Sequence, residues 1–109
     1  MSKTILSPVK HFSGTVVLAD PLIYPQVFAF EDAVEAAEEF KQNIKKFPRF
    51  CAAMEPGIMA CVEEWLLENM PEQPGRLPAS PRDSAAELAA WLIVEITALY
   101  KEADEIPNA

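Results

Sequence analysis

From Ser84 to Ala103 the chain repeats apolar residues at helical spacing without a proline or glycine, whereas the ten prolines all lie elsewhere. On a wheel of roughly 100° per residue, Leu88, Leu92, Ile96, Leu99 and Ala103 form one stripe, widened by Ala89, Ile93 and Tyr100. Trp91, Val94 and Ala98 fall outside that stripe as a second apolar patch, with Glu87, Glu95 and Glu102 among and beside them. A helix with two apolar faces is either buried on both sides or meets a second molecule. This segment therefore predicts more apolar surface than one small core needs, and it points toward contact-making rather than catalysis.

The prolines mark the edges of the other periodic segments. A first helix is predicted from Pro25, suited to a first-turn position because its missing N–H would lack a helical partner anyway, to about Lys46. Val27, Phe30, Val34, Ala37, Phe40, Ile44 and Phe47 occupy one half of its wheel, and Glu31, Asp32, Glu35, Glu38 and Glu39 the other. Its carboxylates come early and Lys41, Lys45 and Lys46 late, which complements the helix dipole. Pro48 begins a second helical stretch, with a break or sharp kink expected at Glu55-Pro56-Gly57 and an end at Asn69-Met70-Pro71. A helix projected through Pro56 puts Cys51, Met54, Ile58, Val62 and Trp65 on one side. Residues 71–81 hold four prolines and read as an extended, comparatively stiff linker. Ser84 with Glu87 fits a capping box for the last helix, and Ser80 with Pro81 is a competing start one turn earlier. Asp104 to Ala109 is expected to fray.

The N-terminal part reads as extended. Thr15-Val-Val-Leu18 follows Gly14, with Lys3–Leu6 and Val9–Phe12 as candidate partner strands, and Asp20-Pro21 ends the region. A two-stranded hairpin is marginal alone and must pack on the helices. At 109 residues, half of them hydrophobic, the chain predicts one domain with a core of its own. Within it, 1–20 is an extended lead-in, 25–70 helical, 71–81 a linker and 82–103 the C-terminal helix. The expected fold is mainly α: three or four helices with a short N-terminal β-hairpin or strand element.

Seventeen acidic against nine basic side chains give a net charge of −8, which repels phosphate backbones and argues against a nucleic-acid partner. Met1–Pro8 shows no long apolar run or small-residue cleavage site, and no stretch approaches the ~20 apolar residues of a membrane span. A soluble, cytoplasmic protein is expected. Cys51 and Cys61, in apolar surroundings, are expected to be buried and reduced; a disulfide between them cannot be read from spacing.

The remaining polar residues suggest no catalytic or metal-binding constellation. His11 is the sole histidine, beside an aromatic in an extended segment, and nothing positions Ser13 and a carboxylate around it as a triad. Two cysteines nine residues apart and one histidine match no zinc set. Glu35, Glu38, Glu39, Glu63, Glu64 and Glu68 lie mainly opposite the apolar stripes and include no Glu-x-x-His pair, so they read as a solvated face. Gly14, Gly57 and Gly75 are isolated and form no phosphate-cradling loop. No enzyme activity, metal or cofactor is implied. What stands out are aromatics where a core does not require them: Phe28 on the acidic side of the first helix, and Trp91 on the second patch of the last. Trp91 either covers the core against a neighbouring element or anchors a partner. Trp91, Val94, Ala98 and Phe28 are the candidate partner-binding residues.

Three segments together carry a resemblance. They are His11-Phe-Ser-Gly-Thr-Val-Val-Leu-Ala-Asp-Pro21, the acidic helix after Pro25-Gln26, and Pro78-Ala-Ser-Pro-Arg-Asp-Ser-Ala-Ala-Glu-Leu-Ala-Ala-Trp-Leu-Ile-Val94. In size, charge and layout the chain resembles the small, acidic, mainly helical proteins encoded with bacteriophage tail genes, especially tail assembly chaperones. That resemblance implies a non-enzymatic protein of the host bacterial cytoplasm that binds the long helical tape-measure protein and keeps it soluble until the tail tube polymerises. An assembly chaperone predicts exposed apolar patches and weak self-association as a homo-oligomer. A structural adaptor of a phage or bacterial assembly would use the same patches in a permanent interface. An acidic nucleic-acid mimic would instead use the glutamate row and bind a basic protein in a salt-dependent way.

Overall fold

The computed structural model describes the backbone of residues 2–104 and the side chains of 2–102; the expected place of Ala103 in the apolar stripe and the fraying from Asp104 to Ala109 lie outside the described side chains. Strands β1 (Ser2–Leu6), β2 (Gly14–Ala19) and β3 (Val62–Leu67) form an antiparallel sheet in that order. Helices α1 (Tyr24–Ala37), α2 (Phe47–Cys61) and α3 (Arg82–Asp104) complete the chain, so the fold mixes α and β and its sheet is larger than the expected hairpin. β1 pairs with β2 from Ser2–Ala19 to Leu6–Thr15. Lys3–Leu6 is thus the partner of Thr15–Leu18, while Val9–Phe12 leads into a 3-10 turn at Lys10–Phe12 instead of a strand.

The third strand corrects the expectation that residues 25–70 are all helical. β3 pairs with β2 from Gly14–Leu67 to Val17–Glu64, and Val62 then faces Leu18, leaving Glu63 as the extra residue of a bulge. Directly opposed residues share a face of the sheet. The row Ile5–Val16–Trp65 faces the helices, with Val16 and Trp65 buried. Helical spacing had placed Ile58, Val62 and Trp65 on one side. All three are indeed in the core, but the last two reach it from a strand. Trp65 keeps its indole satisfied there, donating from Nε1 to the Pro71 carbonyl at 2.7 Å. Asn69, in the left-handed region at φ 64°, ends the strand and donates from Nδ2 to the His11 carbonyl at 2.8 Å.

α1 begins where predicted, with Pro25 in its first turn and the Ile23 amide donating to Gln26 Oε1 at 2.9 Å. It stops at Ala37, well short of Lys46. A 3-10 turn follows at Glu38–Phe40, and Asn43 then interrupts the helix by accepting the Lys45 amide on its side chain at 3.0 Å. The apolar stripe fails with it, since Ile44 stands exposed.

α2 passes through Pro56 without the expected break. A proline there removes the donor that the Ala52 carbonyl would receive, but both residues are exposed, so water can reach the gap. Packing outweighs the loss: Met54, Gly57, Ile58 and Cys61 of α2 are buried. α1 and α2 run antiparallel, with Gly57 set closely against Phe30 and Ala33 and Cys61 Sγ 4.0 Å from the Gln26 carbonyl. The last helix starts at the earlier of the two predicted positions, with Ala85 donating to the Pro81 carbonyl at 2.8 Å. Its stripe is buried as predicted: Leu88, Leu92, Ile96 and Leu99 join Met54, Ile58, Phe30 and the inner sheet face in one core. Tyr100 pins it to α1, its ring 5.6 Å from Phe30 and its hydroxyl donating to Glu31 Oε2 at 2.9 Å. No helix among the described residues is long and apolar enough to cross a membrane.

Candidate functional site

The Pro-rich segment 71–81 has no regular structure but is not a free linker. Trp65 holds it at Pro71, and Glu55 of α2 holds it again further on. Glu55 Oε2 accepts the Leu77 amide at 2.9 Å, and Oε1 lies 3.5 Å from Arg76 Nε. Leu77 packs partly against the core. The strap so formed runs beside the N-terminal half of α2 and leads into the first turns of α3. Between the three lies an open groove of about 570 Å³.

Ile44, Phe47, Pro48, Cys51 and Ala52 line one wall, with Glu55 at its end. Arg76, Leu77, Pro78 and Ala79 line the strap side, and Arg82, Asp83, Ala85 and Ala86 the α3 side. Phe47 stacks on Phe50 with ring centroids 5.9 Å apart. The lining is predominantly apolar, and small residues at 52, 79, 85 and 86 give the concavity its depth. The volume falls within the ~300–1,000 Å³ usual for ligand sites. Cys51 is half-buried in it and burial pushes its thiol upward from the ordinary value, so the thiolate is disfavoured. Cys61 is fully buried in the core, where burial pushes its thiol up to about 11. Both cysteines are free.

The four candidate partner-binding residues do not line this groove. Val94 is 67% exposed and Ala98 is exposed beside it on α3. Trp91, on the same side of the helix, is half-buried and packs against the core, so it covers core residues and shows only part of its surface. Phe28 is 54% exposed on α1 and stacks on Tyr24 at 5.8 Å with the rings 10° apart. No ring contact joins Phe28 to Trp91 among the described residues. Glu31, Asp32 and Glu35 are exposed around the Tyr24–Phe28 stack. His11 is exposed with its ring edge-on to Phe12 at 4.8 Å, and Glu35, Glu38, Glu39, Glu63, Glu64 and Glu68 are all exposed.

Two apolar surfaces escaped the sequence reading. One is the groove. The other is a row across the outer face of the sheet, Leu6–Thr15–Leu66, in which Leu6 is 77% and Leu66 72% exposed. The outer strands are about 10 Å apart, so the two leucines flank Thr15 on a near-flat surface. Comparison with protein-family models, with curated proteins and with solved structures found no match to this chain.

Proposed function

We propose that this protein is a non-enzymatic assembly factor that binds an apolar helical segment of another protein. The observation that carries this reading is the open, apolar groove between α2, the strap and α3. A groove walled by two helices suits an amphipathic helix, which lays its apolar side chains into the concavity. The exposed side chains of Val94, Ala98 and Phe28 add secondary contacts outside it. In its more specific form the proposal is a phage tail assembly chaperone working in the host cytoplasm. It holds a tape-measure protein, whose length and apolar helical repeats make it prone to aggregate before the tail tube forms, and it associates weakly with itself.

The experiment follows the light scattering of a long helical tape-measure-type protein diluted from denaturant with and without this chain. Suppressed scattering that is lost in Ala52→Trp, which fills the groove from an exposed position, is the expected result. Scattering unchanged by the chain, with no co-purification from cells making both proteins, removes the reading.

A further inference from the structure

β1 is an edge of the sheet: among the described residues it is hydrogen-bonded to a strand on one side only. The Ser7 amide donates to the Gly14 carbonyl at 2.9 Å, which sets the alternation along the pair. Lys3 and Ile5 therefore exchange bonds with Leu18 and Val16, while Ser2, Thr4 and Leu6 direct their N–H and C=O groups away from β2. All three residues are exposed. Sheet edges are usually guarded by charge, proline, a bulge or a covering turn. The β3 edge is guarded. It is bulged at Glu63, carries Glu63 and Glu64, and ends in the turn at Asn69, where the Leu67 carbonyl accepts the Met70 amide at 3.3 Å. β1 keeps an unbroken register over Ser2–Leu6, has no proline, and carries one charge, Lys3, on the same face as Ile5.

We propose that β1 pairs antiparallel with β1 of a second copy of this chain, joining the two sheets across a twofold axis. Thr4 opposes Thr4 of the second copy, and Ser2 opposes Leu6 in both directions. The register follows from the hydrogen bonds, since outward groups must meet outward groups. Centring the pair on Lys3 would set the two lysines against each other and leave Leu6 without a strand partner. Centring it on Ile5 would do the same to Ser2. Only Thr4 at the axis pairs every outward N–H and C=O, and Lys3 then opposes Ile5. Charge favours this edge for a second copy. Two molecules of net charge −8 repel over most of their surface, but residues 2–19 hold no acidic side chain. A five-residue strand pair covers much less than a standard interface, so the association is weak. This surface lies apart from the groove, so its failure leaves the helix-binding reading standing, and the reverse also holds.

Sedimentation of the full chain up to millimolar concentration tests this, with a monomer–dimer equilibrium expected. Thr4→Pro removes the central outward N–H and spares the bonds to β2, as prolines on edge strands do. It should weaken association by about tenfold or more. Thr4→Lys and Thr4→Glu should each associate a few-fold more weakly than wild type. An equal mixture of those two should recover dimers, because the axis sets residue 4 against itself. Each variant is first shown to unfold at the wild-type urea midpoint; should Thr4→Pro fail that check, the charged pair decides. Leu66→Lys on the outer sheet face, Val94→Glu on α3 and Ala52→Trp in the groove should leave the equilibrium unchanged. A chain that stays monomeric throughout overturns the proposal, and so does dimerisation that the residue 4 variants leave intact. Association lost instead in Leu66→Lys, Val94→Glu or Ala52→Trp assigns it to that surface and overturns the proposal. Growth beyond the dimer does so too, because β1 against β3 of the next copy would leave an edge free at each end.

Discussion

Gly57 approaches Ala33 so closely that a Cβ added to the glycine would stand 2.7 Å from the alanine methyl and 3.0 Å from Phe30 Cα. The neighbours are a backbone atom and a side chain without rotamers, so neither can move aside alone. Gly57→Ala should therefore force α1 and α2 apart despite alanine's better helix propensity, costing about 1–3 kcal/mol as overpacking does. Gly75→Ala is the control, because nothing lies within 4 Å of the added atom. Urea unfolding of both variants checks this; a Gly57→Ala variant as stable as wild type would show that the helices can separate freely.

Gly14 has φ 140°, a backbone conformation that side chains rarely adopt, and an added Cβ would run into the Leu66 carbonyl across the sheet. Gly14→Ala should cost at least about 1–3 kcal/mol from backbone strain alone and should open the β2–β3 pairing first. Amide hydrogen exchange reports that directly: residues 62–67 should lose protection while α3 keeps it.

The two faces of α3 should respond differently. Leu92 and Ile96 are fully buried, so truncation of either to alanine should cost about 2–5 kcal/mol. Val94→Glu, at an exposed position, should stay within about ±0.5 kcal/mol. Trp91→Ala should fall between these limits because its side chain is only partly exposed and packs on the core. Thermal unfolding of the four variants gives the ranking. A Val94→Glu variant as unstable as Leu92→Ala would mean that the exposed face is covered.

How much of this was legible from residues alone follows from the length of each signal. The α3 stripe could be read because it repeats at one period over several turns without an interrupting proline. β3 could not. Val62-Glu-Glu-Trp-Leu-Leu67 is short, its alternation is broken by the bulge at Glu63, and Ile58, Val62 and Trp65 fit a helix equally well at spacings of four and three. The exposure of Phe28 followed from its place among the carboxylates of α1. The groove is absent from any local pattern because its walls come from segments more than twenty residues apart, brought together by Glu55 and the Leu77 amide.

That bond leads to a further prediction. Glu55→Ala removes the acceptor of the Leu77 amide and the partner of Arg76, so the strap should come away from α2 while the helices stay folded. An amide left part-buried without its acceptor costs about 1–3 kcal/mol if the strap stays in place, and release lowers that cost. Trypsin should cut the wild-type chain first after Arg76 and cut Glu55→Ala faster at the same bond. First cleavage inside α1 or α3, or an unchanged rate in the variant, would show that the strap is held by other means.

The thiols give a pH dependence with a definite sign. Cys61 is pushed from the ordinary 9.0 up to about 11 in the folded protein by burial. Between those values the folded chain binds a proton that the unfolded chain has released, so stability should fall as pH rises from about 9 toward 11. Cys61→Ser carries no such group, and its stability should decline less over that range. At neutral pH a thiol reagent should modify half-buried Cys51 well before buried Cys61, whose reaction should wait on unfolding.

The indole of Trp65 touches the strap through one hydrogen bond while its ring belongs to the sheet. Whatever shifts the strap must alter the polarity around that ring, which makes Trp65 an optical reporter built into the chain. The only other tryptophan is Trp91, on the far helix, so Trp91→Phe leaves a single emitter. A change in its emission maximum during a titration would then distinguish ligands that move the strap from those that merely collide with the surface, without any label attached to the protein.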